Sequence, residues 1–516
     1  DGTADISFGI NNFDLDAGSF GQYEATTNFT VTNNIVRDFE RFGIFMCNGN
    51  ASCTGSSVQA TTGLTTDGVV SANRFVGIDG GSGAGKAIVM QVDGIIETVT
   101  DNVILTDAPV SGQTQTGIQT ENLGDVTDAS GLTLTFSGNL IDMEDGGIFL
   151  NEHSSGAPAV LVTNNDVTAT EPVFVSAMQA GTALITIENS TLVADEVETA
   201  GSGRSVTGNA VRLNDVSGPV TLDRLTIESQ RTGIAATNIT TSPTSTLTIT
   251  DNTLTFPGGQ EFDIDGSGTA GDALGEQAIG VQLAGISGPQ APVIEDNVMG
   301  NTSSPFNGPF YGYTLFDVQA DDDTVIQQTT TGNPTVNGVL QGVFIANTNG
   351  STSAGSNVVA DGLVMDNFTG TSPNDDVNFH AGVHVFTVPG ATNLVTTTIR
   401  DVTVRNTGIA GGTSVTTISG CSPSNTSGCG GQASAGLYFG DFGSTANVRQ
   451  RTTVERATLE GNDNRGVFLR GLGAVATVTQ STLTDNGDAP FTAGGNFGYS
   501  AIARDGGELI IEETSI

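Results

Sequence analysis

A short run of the form apolar-x-x-Asn-x-apolar recurs along the chain. After each copy comes a glycine or another residue that opens a run of alternating apolar positions. VTNNIV from Val31 precedes GIFM from Gly43, VTDNVI from Val99 precedes GIQT from Gly117, and FSGNLI from Phe136 precedes GIFL from Gly147. The fourth position of the first run falls at Asn34, Asn73, Asn102, Asn139, Asn165, Ser190, Leu225, Asn252, Asn297, Gln328, Gly362, Val402, Ala457, Ser481 and Thr514. The second run starts at Gly43, Ala87, Gly117, Gly147, Pro172, Ala210, Gly233, Gly280, Gly312, Gly342, Gly382, Gly436, Gly466 and Ala501, and the two series interleave. A unit of some tens of residues that repeats to the end of a chain marks a stack of like supersecondary units. Here it gives fourteen turns and the opening strand of a fifteenth.

The repeated residues are strand formers. Thr, Val and Ile alternate over four to six positions, as half-buried strands require, and sustained helical periodicity is absent. The expectation is an all-β solenoid of about 14–15 rungs, each with two short strands, whose stacking buries one continuous core. The recurring Asn suits a corner, since Asn tolerates left-handed backbone angles and bonds nearby backbone. Stacked corner Asn side chains can also bond one another in a ladder.

These Asn-containing and Gly-started strands resemble the pectate-lyase-like right-handed parallel β-helix family over nearly the whole chain. The resemblance implies a single right-handed parallel β-helix spanning residues 1–516, with 1–28 as an N-terminal cap or docking segment. That family includes polysaccharide lyases and hydrolases, phage tailspikes and surface adhesins of the autotransporter kind, and fold does not choose among them.

Composition narrows the setting. Seventy Gly residues without a collagen period suit a corner-rich solenoid. The formal charge is −40, with Lys86 the one lysine against 56 acidic residues. Such a surface repels nucleic acid and anionic membranes, and polyuronates unless calcium bridges them. Salty, calcium-containing water outside a cell would screen the repulsion. No apolar run approaches membrane-spanning length. Four cysteines form two close pairs, Cys47 with Cys53 and Cys421 with Cys429, in Gly/Ser/Asn-rich loops. This spacing reads as loop-closing disulfides and an extracellular or cell-surface location; zinc is the other reading, but these are poor zinc spacings and no His lies near. The chain begins at Asp1 without Met or an apolar leader, which suits removal of an export signal.

The distance from first to second run stretches after Ser190, Asn252, Gly362, Val402 and Ser481, always at the same corner, and insertions are expected at 253–279, 363–381, 403–435 and 482–500. Long excursions from a rigid scaffold are where function usually sits. In the first of these, Asp263, Asp265, Ser267 and Thr269 match the first half of an EF-hand-type calcium loop, with Gly268 at its sharp turn. The twelfth position is Leu274 rather than Glu, so the alternative is a plain Asp/Gly turn. In the second, Asp375 and Asp376 precede His380, with His384 on the following strand. Resemblance to inverting polygalacturonases of this fold would make the carboxylates an acid/base pair. The Gly-His-Gly and Arg-x-Lys of those enzymes are missing, however; His380 and His384, four apart on one strand face, could instead bind a metal, and a polar loop running into a strand explains the same residues.

Two surfaces complete the candidates. Alternation in the second run puts Phe344, His384, Tyr438 and Phe468 in one outward row on successive turns, and an exposed aromatic row would mark a partner or sugar-stacking face. Residues 400–470 hold seven arginines, Arg449 and Arg451 among them, against five acidic residues. That locally positive stretch either docks an acidic neighbour or pairs within its own face. The final segment, GELIIEETSI, supplies the first strand of another turn, and an uncapped end would favour head-to-tail contact between copies. The function expected on these grounds is a secreted or cell-surface structural β-helix. It would act in adhesion or self-assembly, through self-association or glycan contact, stabilised by calcium. The alternative is a polysaccharide-degrading hydrolase or lyase, or a tailspike-like glycan binder.

Overall fold

The computed structural model describes residues 8–16, 30–39, 42–48, 68–78, 85–91, 94–106, 115–124, 129–194, 208–256, 278–301, 310–329, 336–337, 341–347, 357–366, 368–369, 381–387, 394–408, 435–441, 449–462, 465–486 and 499–516. Among them the only regular structure is β-strand. Three kinds of strand recur from turn to turn, and each kind pairs in parallel with its own kind, which defines the long sheets I, II and III; Ser287–Gly288 with Gln319–Ala320 and Phe368–Thr369 with Thr407–Gly408 form two short sheets besides. One turn reads Gly146–Asn151 in sheet I, Ala159–Thr163 in sheet II and Asp166–Ala169 in sheet III. The fold is an all-β parallel β-helix with three strands per turn.

Three strands rather than two is a correction to the expectation, and backbone angles explain it. The run apolar-x-x-Asn-x-apolar is broken in its middle by a residue with positive φ: Asn33 at 57°, Asp101 at 56°, Asn164 at 55°. Thr98–Thr100 therefore lies in sheet II and Val103–Leu105 in sheet III. The left-handed position is the residue before the recurring Asn, not the Asn itself. At two turns the corner is offset by one residue. Gln328 and Gly362 stand in the preceding position, where Gln328 N–H donates to the Asp361 carbonyl at 3.0 Å and Gly362 N–H to that of Arg400 at 3.1 Å. Leu363 fills the corner slot instead, its carbonyl accepting from Thr403 N–H at 2.9 Å.

By contact the chain forms two compact units. The first is Asp1–Ser229 with Ala235–Asn252; the second is Gln230–Ile234 with Thr253–Ile516. In the first unit, one inward position per strand makes a column through each sheet. Ile44, Ile88, Ile118, Ile148, Val173 and Val211 stack in sheet I. Val70, Val99, Phe136, Val162, Ile187, Leu222 and Ile249 stack in sheet II. Phe75, Ile104, Ile141, Val167, Leu192 and Ile227 stack in sheet III. All are fully buried, and each side chain so placed contributes about 1.5–3 kcal/mol. In this unit residues 8–16, from the expected N-terminal segment, form a strand parallel to Phe42–Asn48.

The second unit repeats the plan. Tyr313, Val343, Val383, Leu437 and Val467 form its sheet I column, and all are buried. Each of the four long expected insertions opens with the sheet III strand of its turn and reaches the next sheet I strand, as 363–381 runs from Val364–Asp366 to Ala381–Thr387.

Two side-chain devices hold the corners. Asn34, Asn73, Asn102, Asn139 and Asn165 form the expected ladder: each Oδ1 after the first accepts the preceding Asn's backbone N–H at 2.9–3.1 Å. The Nδ2 groups of Asn73, Asn102, Asn139 and Asn165 return a bond to a backbone carbonyl of an earlier turn, at Val31, Val70, Val99 and Phe136. Ser190 Oγ ends the series by accepting from Asn165 N–H at 3.1 Å. The second device is the glycine of the sheet I strand. A Cβ on Gly117 would stand 2.8 Å from the Gly147 carbonyl oxygen and 2.8 Å from Ile141 Cγ2. At Gly117 it is this close approach, not an unusual φ, that favours glycine.

Candidate binding faces

Most of the residues singled out in the sequence fall outside the described residues. This holds for Asp375, Asp376 and His380; for Asp263, Asp265, Ser267 and Thr269; and for Cys53, Cys421 and Cys429. Of Cys47 only the backbone, in the strand Phe42–Asn48, is described. Among the described residues no three His, Cys, Asp or Glu side chains come together as a metal site would require.

The aromatic row does assemble. Phe344, His384, Tyr438 and Phe468 pair in register on successive sheet I strands. Ring centroids are 4.9 Å apart for Phe344 and His384, 4.6 Å for His384 and Tyr438, and 5.0 Å for Tyr438 and Phe468, the last pair nearly parallel. Arg465 caps the row, its guanidinium 4.3 Å from the Phe468 centroid. The expected exposure is corrected: the four residues are 1–8 % exposed. Each inner ring is covered by the rings on either side, and Phe316, Phe386 and Ile502 pack against the flanks. The row is a second apolar layer on sheet I of the second unit, not an open stacking face. Burial pushes the His384 imidazole down to about 3, so it is neutral at ordinary pH. In the first unit, burial likewise pushes His153 down to about 4, and its Nε2 lies 2.8 Å from Thr120 Oγ1.

The arginine-rich stretch is largely paired within its own unit. Arg456 holds Asp401 through two hydrogen bonds, at 2.8 and 2.7 Å. Arg400 pairs with Asp361 at 2.7 Å, Arg405 with Glu460 at 3.4 Å and Arg470 with Asp505 at 2.7 Å. Arg449 is buried, whereas Arg451 stands exposed on sheet II. The positive stretch is thus mostly a set of ion pairs between successive turns.

A face that the sequence reading missed lies on sheet II of the first unit. Its outward positions form two columns in register. One holds Thr98, Thr135, Leu161, Thr186, Thr221 and Thr248. The other begins Thr32, Ser71, Thr100, Ser137, Thr163 and continues through Glu188 and Asp223 to Thr250. These side chains alternate with fully buried neighbours, and most are half-exposed. Strand spacing sets the hydroxyl and methyl groups about 4.8 Å apart along each column, and alternate residues place the columns about 6.5–7 Å apart. Glu188 and Asp223 are held by Arg224, and Asp223 also accepts from Thr250 Oγ1 at 3.1 Å. The signal was present as T-x-T and T-x-S triplets such as Thr98–Thr100, but Thr is also an ordinary strand former.

No helix among the described residues is long and apolar enough to cross a membrane, which says nothing about strands. Comparison with family models, curated proteins and solved structures found no match.

Proposed function

We propose that the protein is a secreted or cell-surface structural β-helix that acts in adhesion or self-assembly, on the plan of the pectate-lyase-like right-handed β-helices. The observation that supports this best is the pair of threonine-rich columns on sheet II of the first unit. A rigid array of methyl and hydroxyl groups at a fixed repeat suits a partner that is itself repetitive, such as a surface glycan chain or another copy's sheet. The array is uncharged over Thr98, Thr135, Thr186, Thr221 and Thr248, so it offers contact that the charge of −40 elsewhere opposes. Divalent calcium would lower that opposition and favour assembly.

The test is binding to a panel of immobilised cell-surface glycans and to itself, with and without calcium, for the parent chain and for Thr135→Asp with Thr221→Asp. Binding or calcium-dependent assembly that falls at least tenfold in the double variant supports the reading. No binding and only monomers at high concentration with calcium would sink it. Cleavage of a polysaccharide from the same panel, lost in Asp375→Asn or Asp376→Asn, would establish the enzymatic alternative instead.

A further inference from the structure

Sheet II of the second unit carries a polar patch on its core side. In the first unit the inward positions of this sheet are aliphatic or aromatic, as at Val162, Ile187, Leu222 and Ile249. In the second unit Val395 is followed in register by Gln450 and Ala474, and Thr397 by Thr452 and Ala476. Thr397, Gln450 and Thr452 are at most 2 % exposed. Oγ1 of Thr397, Oγ1 of Thr452 and Oε1 of Gln450 have no hydrogen-bond partner in the chain, and neither has Oγ1 of the fully buried Thr387.

Strand pairing and one hydrogen bond link these residues. Gln450 Nε2 donates to the Val385 carbonyl at 3.3 Å, so the amide spans from sheet II toward sheet I and its oxygen is left over. Thr387 stands two residues beyond Val385 on the same strand, and strand alternation gives the two the same side. Thr397 and Thr452 are direct neighbours across the sheet, and the next strand offers only methyl groups there, at Ala474 and Ala476.

Buried polar atoms almost always find a partner, because leaving them desolvated and unbonded is costly. Valine has nearly the shape of threonine and none of this cost, so hydroxyls at two adjacent core positions need a bonding partner to be tolerated. Several converging polar atoms beside small side chains are the setting in which protein cores hold water. We infer that the core of the second unit contains a cluster of ordered water molecules bridging Thr387, Thr397, Gln450 and Thr452. This interior site is independent of the threonine face in the other unit.

Thr397→Val and Thr452→Val, made singly in the full chain, test it through thermal unfolding. If water bridges these hydroxyls, each substitution strips the water of a partner and lowers the Tm of the second unit by about 2–4 °C. If the hydroxyls are simply unbonded, valine removes a penalty, and an unchanged or raised Tm overturns the inference. A high-resolution diffraction map of the unsubstituted chain decides it even if a variant fails to fold. Water peaks within hydrogen-bonding distance of both Thr397 and Thr452 Oγ1 support the cluster, and featureless density there refutes it.

Discussion

The carboxamide oxygen of Asn139 accepts two hydrogen bonds from Asn102, one from its backbone N–H at 3.1 Å and one from its Nδ2 at 3.0 Å. The same side chain gives two more, from Nδ2 to the Val99 carbonyl at 2.9 Å and to Asn165 Oδ1 at 2.9 Å. One buried residue therefore ties together three successive turns, and it does so where each turn changes direction. Neither Asp nor Ser can reproduce this, since Asp lacks the donor and Ser lacks the reach.

Asn139→Ala should be among the most damaging single changes in the first unit. It leaves the Asn102 N–H and the Val99 carbonyl buried without their partners, at roughly 1–3 kcal/mol for each orphaned group. A loss of about 3 kcal/mol in urea denaturation is expected. Asn34→Ala, at the exposed end of the ladder, should cost well under half of that. Equal losses at the two positions would show that the ladder is not the source of the effect.

Gly117→Ala tests the other half of the repeat. The added Cβ would meet a backbone oxygen and a packed isoleucine, neither of which can move without shifting the next turn. Overpacking of this kind costs about 1–3 kcal/mol. Gly131→Ala is the control, because a Cβ there meets nothing within 4 Å. Chemical denaturation of the two variants should separate them, and a neutral Gly117→Ala would remove close approach as the reason for the recurring glycine.

These two positions were legible in the sequence because each favours one residue type in most turns: an amide that both donates and accepts, and a side chain of little volume. The break that creates the third sheet was not. Its positive-φ residue is Asn33, Ala72, Asp101, Arg224, Arg456 or Gln480 in different turns, so no residue type announces it. The burial of His384 was hidden for a different reason. Alternation gives the side of a sheet a residue faces, but not what packs on that side. The threonine columns needed register: Thr98, Thr135 and Thr186 lie tens of residues apart in sequence and become one row only when the turns are aligned.

Asp401 and Arg456 occupy left-handed corners, at φ 54° and 53°, and form a two-pronged pair. The hydrogen bond from Arg456 holds the Asp401 carboxyl below the usual carboxylate range, and the charges of Arg456 and Arg400 act the same way. A depressed folded value means a stabilising contribution that is present above the unfolded value of about 3.9 and is lost as pH falls through the folded value. NMR titration of the Asp401 carboxyl should show it titrating below an unperturbed carboxylate in the parent chain. In Arg456→Ala the midpoint should move up. An unmoved midpoint would assign the shift to Arg400 instead.

His384 gives the opposite end of the pH argument. Burial lowers its folded value to about 3, against about 6.5 when unfolded. The folded chain therefore binds this proton less readily than the unfolded chain. Stability is unaffected above pH 6.5 and falls below it, at about 1.4 kcal/mol per pH unit, until the folded value is reached. Between pH 7.5 and pH 5.0 the second unit should lose about 2 kcal/mol from this residue alone. His384→Phe keeps a ring between Phe344 and Tyr438 and removes the titration. Urea denaturation at the two pH values should show the variant losing about 2 kcal/mol less than the parent. An equal loss in both would mean that His384 keeps its proton affinity inside the stack, and that the row admits water.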